Sequence, residues 1–253
     1  MSPSVSLLGV DWGLIASSLP TFFDGLRVCL ILLAITLPCG FLLSLPLAVA
    51  RASSNRVASR AVWLFTYVVR GTPLLVQIFV IYYGLVQFEW IRESAAWVLL
   101  KNAWFCAWFA FTLNTTAYTT EIFAGAIKAT PSGEIEAARS VGMSSAQVYA
   151  RILLPGALRR ALPQYGNEVV GMMHATALAS TVTLVDLTRV ARDVYANHLL
   201  PVEAFGTVAI FYFVLTFSLV GVFKLLERRF LRHLQPRSSL RFDLSPCRLN
   251  ISL

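Results

Sequence analysis

The chain has 253 residues, of which 57% are hydrophobic and 13% charged, with a formal net charge of +8. So apolar a composition excludes an ordinary soluble domain and points to a polytopic membrane protein, whose basic excess calls for no nucleic-acid partner. No cleavable leader is expected. Ala48-Val49-Ala50 looks like a cleavage site, but its apolar run is too long and no basic segment precedes it.

In chain order, residues 1–20 are expected to lie outside the membrane, 21–234 to form the transmembrane domain, and 235–253 a cytoplasmic tail. The reading is all-α, with five transmembrane helices. The charge-free run 28–50, bounded by Arg27 and Arg51, approaches the ~20 residues that a span needs. The second span, about 61–87, carries Arg70. The third, about 102–127, carries Glu121, and the fourth, about 161–185, carries Glu168 and His174. The fifth, 204–223, lies between Glu203 and Lys224.

Basic residues set the orientation. Arg51, Arg56 and Arg60 share one loop with no acid among them; Lys128, Arg139, Arg151, Arg159 and Arg160 occupy another. Lys224, Arg228, Arg229, Arg232, Arg237, Arg241 and Arg248 follow the last span. The opposite side holds Arg27, Arg92, Lys101, Arg189 and Arg192. The richer side is expected in the cytoplasm, with the N-terminus outside.

Three stretches interrupt the apolar pattern. Arg70-Gly71-Thr72-Pro73 breaks into the second span, and proline in a helix interior removes a hydrogen bond and kinks the chain. Arg70, Gly71 and Pro73 therefore mark either a hinge or gate, or a packing kink with Arg70 paired or snorkelling. Along the third span Asn114, Thr115, Tyr118 and Glu121 are polar, and a carboxylate there faces a bundle interior, a partner or a watery path. These residues, with His174 and Thr176 of the fourth span, are the candidate substrate path. Glu121 is equally readable as the partner of an internal donor such as Arg70, and His174 as a hydrogen-bonded core residue.

The third stretch, about 128–160, is polar and helix-prone between apolar flanks. Residues 134–141 favour a helix that Gly142 ends in a left-handed conformation, Ser144 and Gln147 form a capping box, and Pro155 stops that second helix or starts the next element. Ala137 and Ala138 offer a low surface that a partner can approach closely.

The spacing Glu136-Ala137-Ala138, Gly142, Ile152, Pro155 resembles the cytoplasmic EAA loop of permease subunits in ATP-binding-cassette (ABC) importers. Arg70-Gly71-Thr72-Pro73-Leu74 and Ala117-Tyr118-Thr119-Thr120-Glu121-Ile122-Phe123 resemble signatures of the polar amino-acid branch. There Ala124 stands where the signature often has arginine. His174-Ala175-Thr176-Ala177-Leu178 resembles the M-type subunits of histidine/lysine/arginine/ornithine and opine importers.

The resemblance implies a type I importer permease fold in a bacterial inner membrane. It implies a Q-type permease partner, two ATPase subunits that bind ATP and Mg, and a periplasmic solute-binding protein, with lipid around the assembly. No catalytic, metal or phosphate-loop constellation is evident, so this chain is read as non-catalytic and without a cofactor of its own. The rival readings are an ion-coupled secondary transporter, a subunit that does not conduct, and a permease for opines or other polar amino acids.

Overall fold

The computed structural model describes residues 10–231, and within them the chain is helical with no strand. The tail residues named above from Arg232 onward, and Cys247, lie outside the described residues. Helix α1 spans Trp12–Ala52, α2 Arg56–Gly71, α3 Leu74–Phe79, α4 Glu89–Arg92, α5 Trp97–Leu100 and α6 Ala103–Lys128. Then come α7 (Ser132–Ser140), α8 (Ser145–Val148), α9 (Leu154–Ala175), α10 (Leu187–His198) and α11 (Pro201–Phe230).

The expected runs 28–50 and 204–223 lie inside α1 and α11, and 103–127 inside α6, while the fourth, 161–185, leaves α9 at Ala175, continues as a 3₁₀ turn to Val182 and ends beyond it. Two further differences concern the first and second spans. Helix α1 has 41 residues and starts at Trp12, well ahead of the charge-free run, because Asp11 caps it by accepting from Leu14 N–H. At about 1.5 Å per residue it is some 60 Å long, about twice a hydrocarbon core, so it projects beyond one or tilts strongly. The second expected span is not one kinked helix. It breaks by 98° between α2 and the segment 74–87.

By length and composition, α1 and α11 are the described helices able to cross a membrane, or four spans if each of two bent pairs counts as one. Helix α6 has 26 residues and is not among them. The reason is its burial: α1, α2 and α9 pack around it, so it carries threonine, asparagine and alanine in place of lipid-facing leucine. Small residues let α1 approach closely. Gly40 sits against Thr115 so tightly that a Cβ there would collide with the threonine side chain.

The largest core cluster includes Leu32, Ile78, Phe111, Met173 and Val182, drawn from α1, α3, α6, α9 and the 3₁₀ segment Thr176–Val182. A second, with Ala48, Phe123 and Ala157, holds the C-terminal ends of α1 and α6 and the start of α9 together. Two cores stacked along α6 make it the axis of the molecule.

Candidate functional site

Where α2 stops, its last carbonyls lose their helical partners. Thr72 is extended (φ −111°, ψ 140°), and Pro73 is the N-cap of α3, so the proline ends one helix and starts another. Gly71, with open space around it, would meet no atom through an added Cβ. Arg70 occupies the final turn of α2, and its guanidinium lies 5.0 Å from the centre of the Tyr118 ring on α6.

The break opens a cavity of about 520 Å³ bordered by residues 70–74 with Asn114, Tyr118, Glu168, Gly171, Met172 and Ala175. One wall is the turn between α2 and α3, the second is α6, and the third is α9. Glu168 is half-buried on α9. Ion pairs among the described residues are Arg51–Glu121, Arg92–Glu89 and Arg189–Asp193, so Arg70 and Glu168 border one cavity without closing on each other. A cavity with separated positive and negative groups suits a ligand that carries both charges.

Of the six expected substrate-path residues, Asn114 and Tyr118 border this cavity. Thr115, packed against Gly40 of α1, does not, and neither do the other three. Glu121 lies about 10 Å further along α6 than Asn114. There it accepts from Arg51 Nε at 2.9 Å and from Thr66 Oγ1 at 2.6 Å, bracing α1 and α2 against α6. A donor was expected for it, but the donor is Arg51 and not Arg70, because the end of α1 reaches that depth. His174 turns toward α11, with Nε2 3.1 Å from Thr216 Oγ1. Thr176 is buried and donates to Met173 C=O within its own turn.

Sequence reasoning gave Glu168 no role and passed over Gln77. The signal for Glu168 was present, since a carboxylate in an apolar run is itself informative. For Gln77 no local signal exists, because its partners come from α2 and α6.

The loop over 132–155 is built locally. Helix α7 ends at Gly142, the described glycine with a positive φ, at +81°. Met143 N–H donates to Ala138 C=O (3.2 Å) and Gly142 N–H to Arg139 C=O (2.9 Å), the paired bonds of a Schellman ending. Ser144 and Gln147 form both halves of the capping box at α8. Pro155 lies in the first turn of α9, so of its two expected roles it takes the starting one.

Glu136 and Ala137 are exposed on α7, whereas Ala138 is buried with Val148 and Leu153. Only Ala137 of the alanine pair is therefore open to a partner. Ile152 is half-buried and packs on that same small core, within the π-helical turn Tyr149–Leu153 that joins α8 to α9. Arg160 of α9 donates to Ala126 C=O and Thr130 Oγ1, tying the loop's root to the end of α6.

A helical membrane bundle broken around a charged cavity, with a capped polar loop at one end, is the architecture of a transport permease. Residues 37–232 match the family of binding-protein-dependent transport system inner membrane components, and the chain belongs to it. It is a permease subunit of an ABC importer, an inner-membrane component that catalyses no reaction itself.

It is 46% identical over 222 residues to the histidine/lysine/arginine/ornithine transport system permease protein HisM of Escherichia coli K12, covering 86% of this chain and 92% of that one. To the nopaline transport system permease protein NocM of Agrobacterium fabrum it is 41% identical, covering 90% and 95%. The crystal structure of an amino acid ABC transporter with histidines matches with a TM-score of 0.77 at 32% identity, covering 87% of this chain and 99% of that one. The methionine transporter MetNI, at 18% identity and a TM-score of 0.64, shares the fold.

Proposed function

We propose that this subunit passes basic amino acids of the histidine, arginine, lysine and ornithine class through the cavity between Arg70 and Glu168. The carrying observation is that these opposite charges border one cavity of about 520 Å³ without pairing. A basic amino acid presents a carboxylate and two cationic groups. Arg70, steadied over Tyr118, takes the carboxylate, while Glu168 and the Asn114 amide face the cationic end. The identity to HisM supports this substrate class over opines.

In this reading the segments around α1, α2–α3, α6, α9 and α11 are five spans of a type I importer permease, and α6 is apolar enough for its buried place. The N-terminus is periplasmic and the C-terminal tail cytoplasmic. The loop 128–160 docks on an ATPase through Glu136, Ala137 and the Gly142 turn, with Ile152 and Pro155 passing its movement into α9. Two ATPase subunits hold the ATP and Mg, a solute-binding protein delivers substrate outside, and a Q-type permease supplies the other half of the pathway. The exposed apolar face of Trp63, Leu64, Tyr67, Val68 and Val76 is available to that partner or to lipid. The break at Gly71–Pro73 is the gate.

The test is uptake by the complex reconstituted with its ATPases and solute-binding protein. Labelled arginine, lysine or histidine should accumulate only when ATP is supplied. Accumulation on an ion gradient without ATP would overturn the reading in favour of a secondary carrier. Accumulation of nopaline with no basic amino acid would make it an opine permease.

A further inference from the structure

The side chain of Gln77 touches both sides of the break. Its Nε2 donates to Val69 C=O at 2.6 Å, to Thr72 C=O at 3.2 Å and to Thr72 Oγ1 at 2.8 Å. Its Oε1 accepts from Asn114 Nδ2 at 3.1 Å. Both ends of the amide are engaged, and the backbone carbonyls fix which end is which, since a carbonyl can only accept.

The first consequence concerns the break. A helix that ends inside a membrane leaves carbonyls which lipid cannot satisfy. Thr72 Oγ1 shares its proton between Val68 and Val69 C=O, at 3.1 and 3.2 Å, and Gln77 adds bonds to the Val69 and Thr72 carbonyls. These bonds hold a turn of 98° between α2 and α3 with no helical bond crossing it.

The second consequence concerns Asn114, which borders the cavity. Because Gln77 Oε1 takes the Asn114 Nδ2, the Asn114 amide cannot turn over without losing that bond. Its Oδ1 has no partner among the described residues, so an acceptor remains on a residue that borders the cavity together with Glu168. An acceptor binds the charged N–H groups of an ammonium or guanidinium more strongly than the neutral N–H groups of a urea.

We propose that Gln77 is a positioning residue for substrate discrimination. It staples the break that carries Arg70 and orients the Asn114 amide so that the cavity presents an acceptor to cationic side chains. The proposal rests on the cavity being the substrate site. It adds that a side chain outside the cavity wall decides which atom of Asn114 the substrate meets.

The test compares Gln77→Met, which keeps volume and removes all four contacts, with wild type in the reconstituted complex. Two readouts are used. One is ATP-driven uptake of arginine against citrulline, its neutral near-isostere, over a range of concentrations. Gln77→Met should raise the half-saturating arginine concentration about tenfold and bring the arginine-to-citrulline preference at least fivefold closer to one, at equal assembled complex. The other is the distance between nitroxide labels at the exposed positions 67 and 80, which reports the break with no reference to transport. That distance should shift or broaden.

An unchanged arginine-to-citrulline preference with an unchanged label distance overturns the proposal. So does an equal loss of arginine and citrulline uptake, which is what a purely structural glutamine would give. Glu168→Gln and Asn114→Leu serve as the check on the cavity itself. If neither alters uptake while Gln77→Met still moves the labels, the cavity reading fails and the staple stands without its role in discrimination.

Discussion

The loop 132–155 and the cavity are closed by opposite means. In the loop, Met143 reaches back to Ala138, Gly142 to Arg139, and Ser144 forward to Gln147. In the cavity region contacts join residues far apart in sequence: Asn114 with Gln77 across 37 positions, and the Arg70 guanidinium with the Tyr118 ring. A loop built from neighbours can keep its shape while it is pushed. A cavity built from distant helices changes shape whenever those helices move. An importer driven from the cytoplasm needs both.

The sharpest way to break the comparison is at Gly142. A Cβ there would touch nothing within 4 Å, so any effect of Gly142→Val comes from backbone conformation alone, at φ +81°. A β-branched residue in the left-handed region costs about 1–2 kcal/mol or more. ATP-driven uptake should fall more than tenfold while the subunit still inserts and assembles with its permease partner. Gly142→Asn should retain more activity, because asparagine tolerates that region. Equal uptake in Gly142→Val and wild type would detach the loop's geometry from coupling.

A smaller effect is expected at Arg51→Met. It leaves Glu121, whose side chain is only 22% exposed, with the Thr66 hydroxyl as its remaining partner. Removing a charged hydrogen-bond partner from such a site costs about 1–3 kcal/mol. Thermal denaturation of the purified complex should shift down by several degrees, with the arginine-to-citrulline preference kept. A changed preference at an unchanged melting temperature would return Glu121 to the substrate path.

The smallest effect belongs to Ser144→Ala, which removes one half of the α8 capping box. Its cost is about 1 kcal/mol. Faster amide hydrogen exchange confined to residues 145–148 is the expected sign, with uptake reduced less than threefold. Exchange spreading into α9 would show the loop to be less locally built than its hydrogen bonds imply.

The sequence was legible where the rules are local. Gly142, the Ser144–Gln147 box and the start at Pro155 follow from propensities and caps acting over a few residues. The helices at 103–128 and 201–230 follow from apolar runs with charged ends. Long-range chemistry was harder to read. Three residues on one face of α6 looked equivalent, yet Asn114 and Tyr118 border the cavity while Glu121 meets Arg51. Only the reach of α1 to that depth separates them. Ala137 and Ala138 looked alike, and the rotation of about 100° between them sends one outward and the other into the Val148–Leu153 core. The break at Pro73 was legible as a disturbance. Its size depends on Gln77 and Thr72 satisfying the carbonyls, which no local rule gives.

The central claim is that the substrate's cationic end meets Glu168 and not Glu121. The most direct measurement is the half-saturating arginine concentration for ATP-driven uptake in Glu168→Gln and Glu121→Gln, compared at equal amounts of assembled complex. A rise of about tenfold or more is expected for Glu168→Gln and less than twofold for Glu121→Gln. A rise for Glu121→Gln with Glu168→Gln unchanged would contradict it, and would move the substrate path down α6 toward the end of α1.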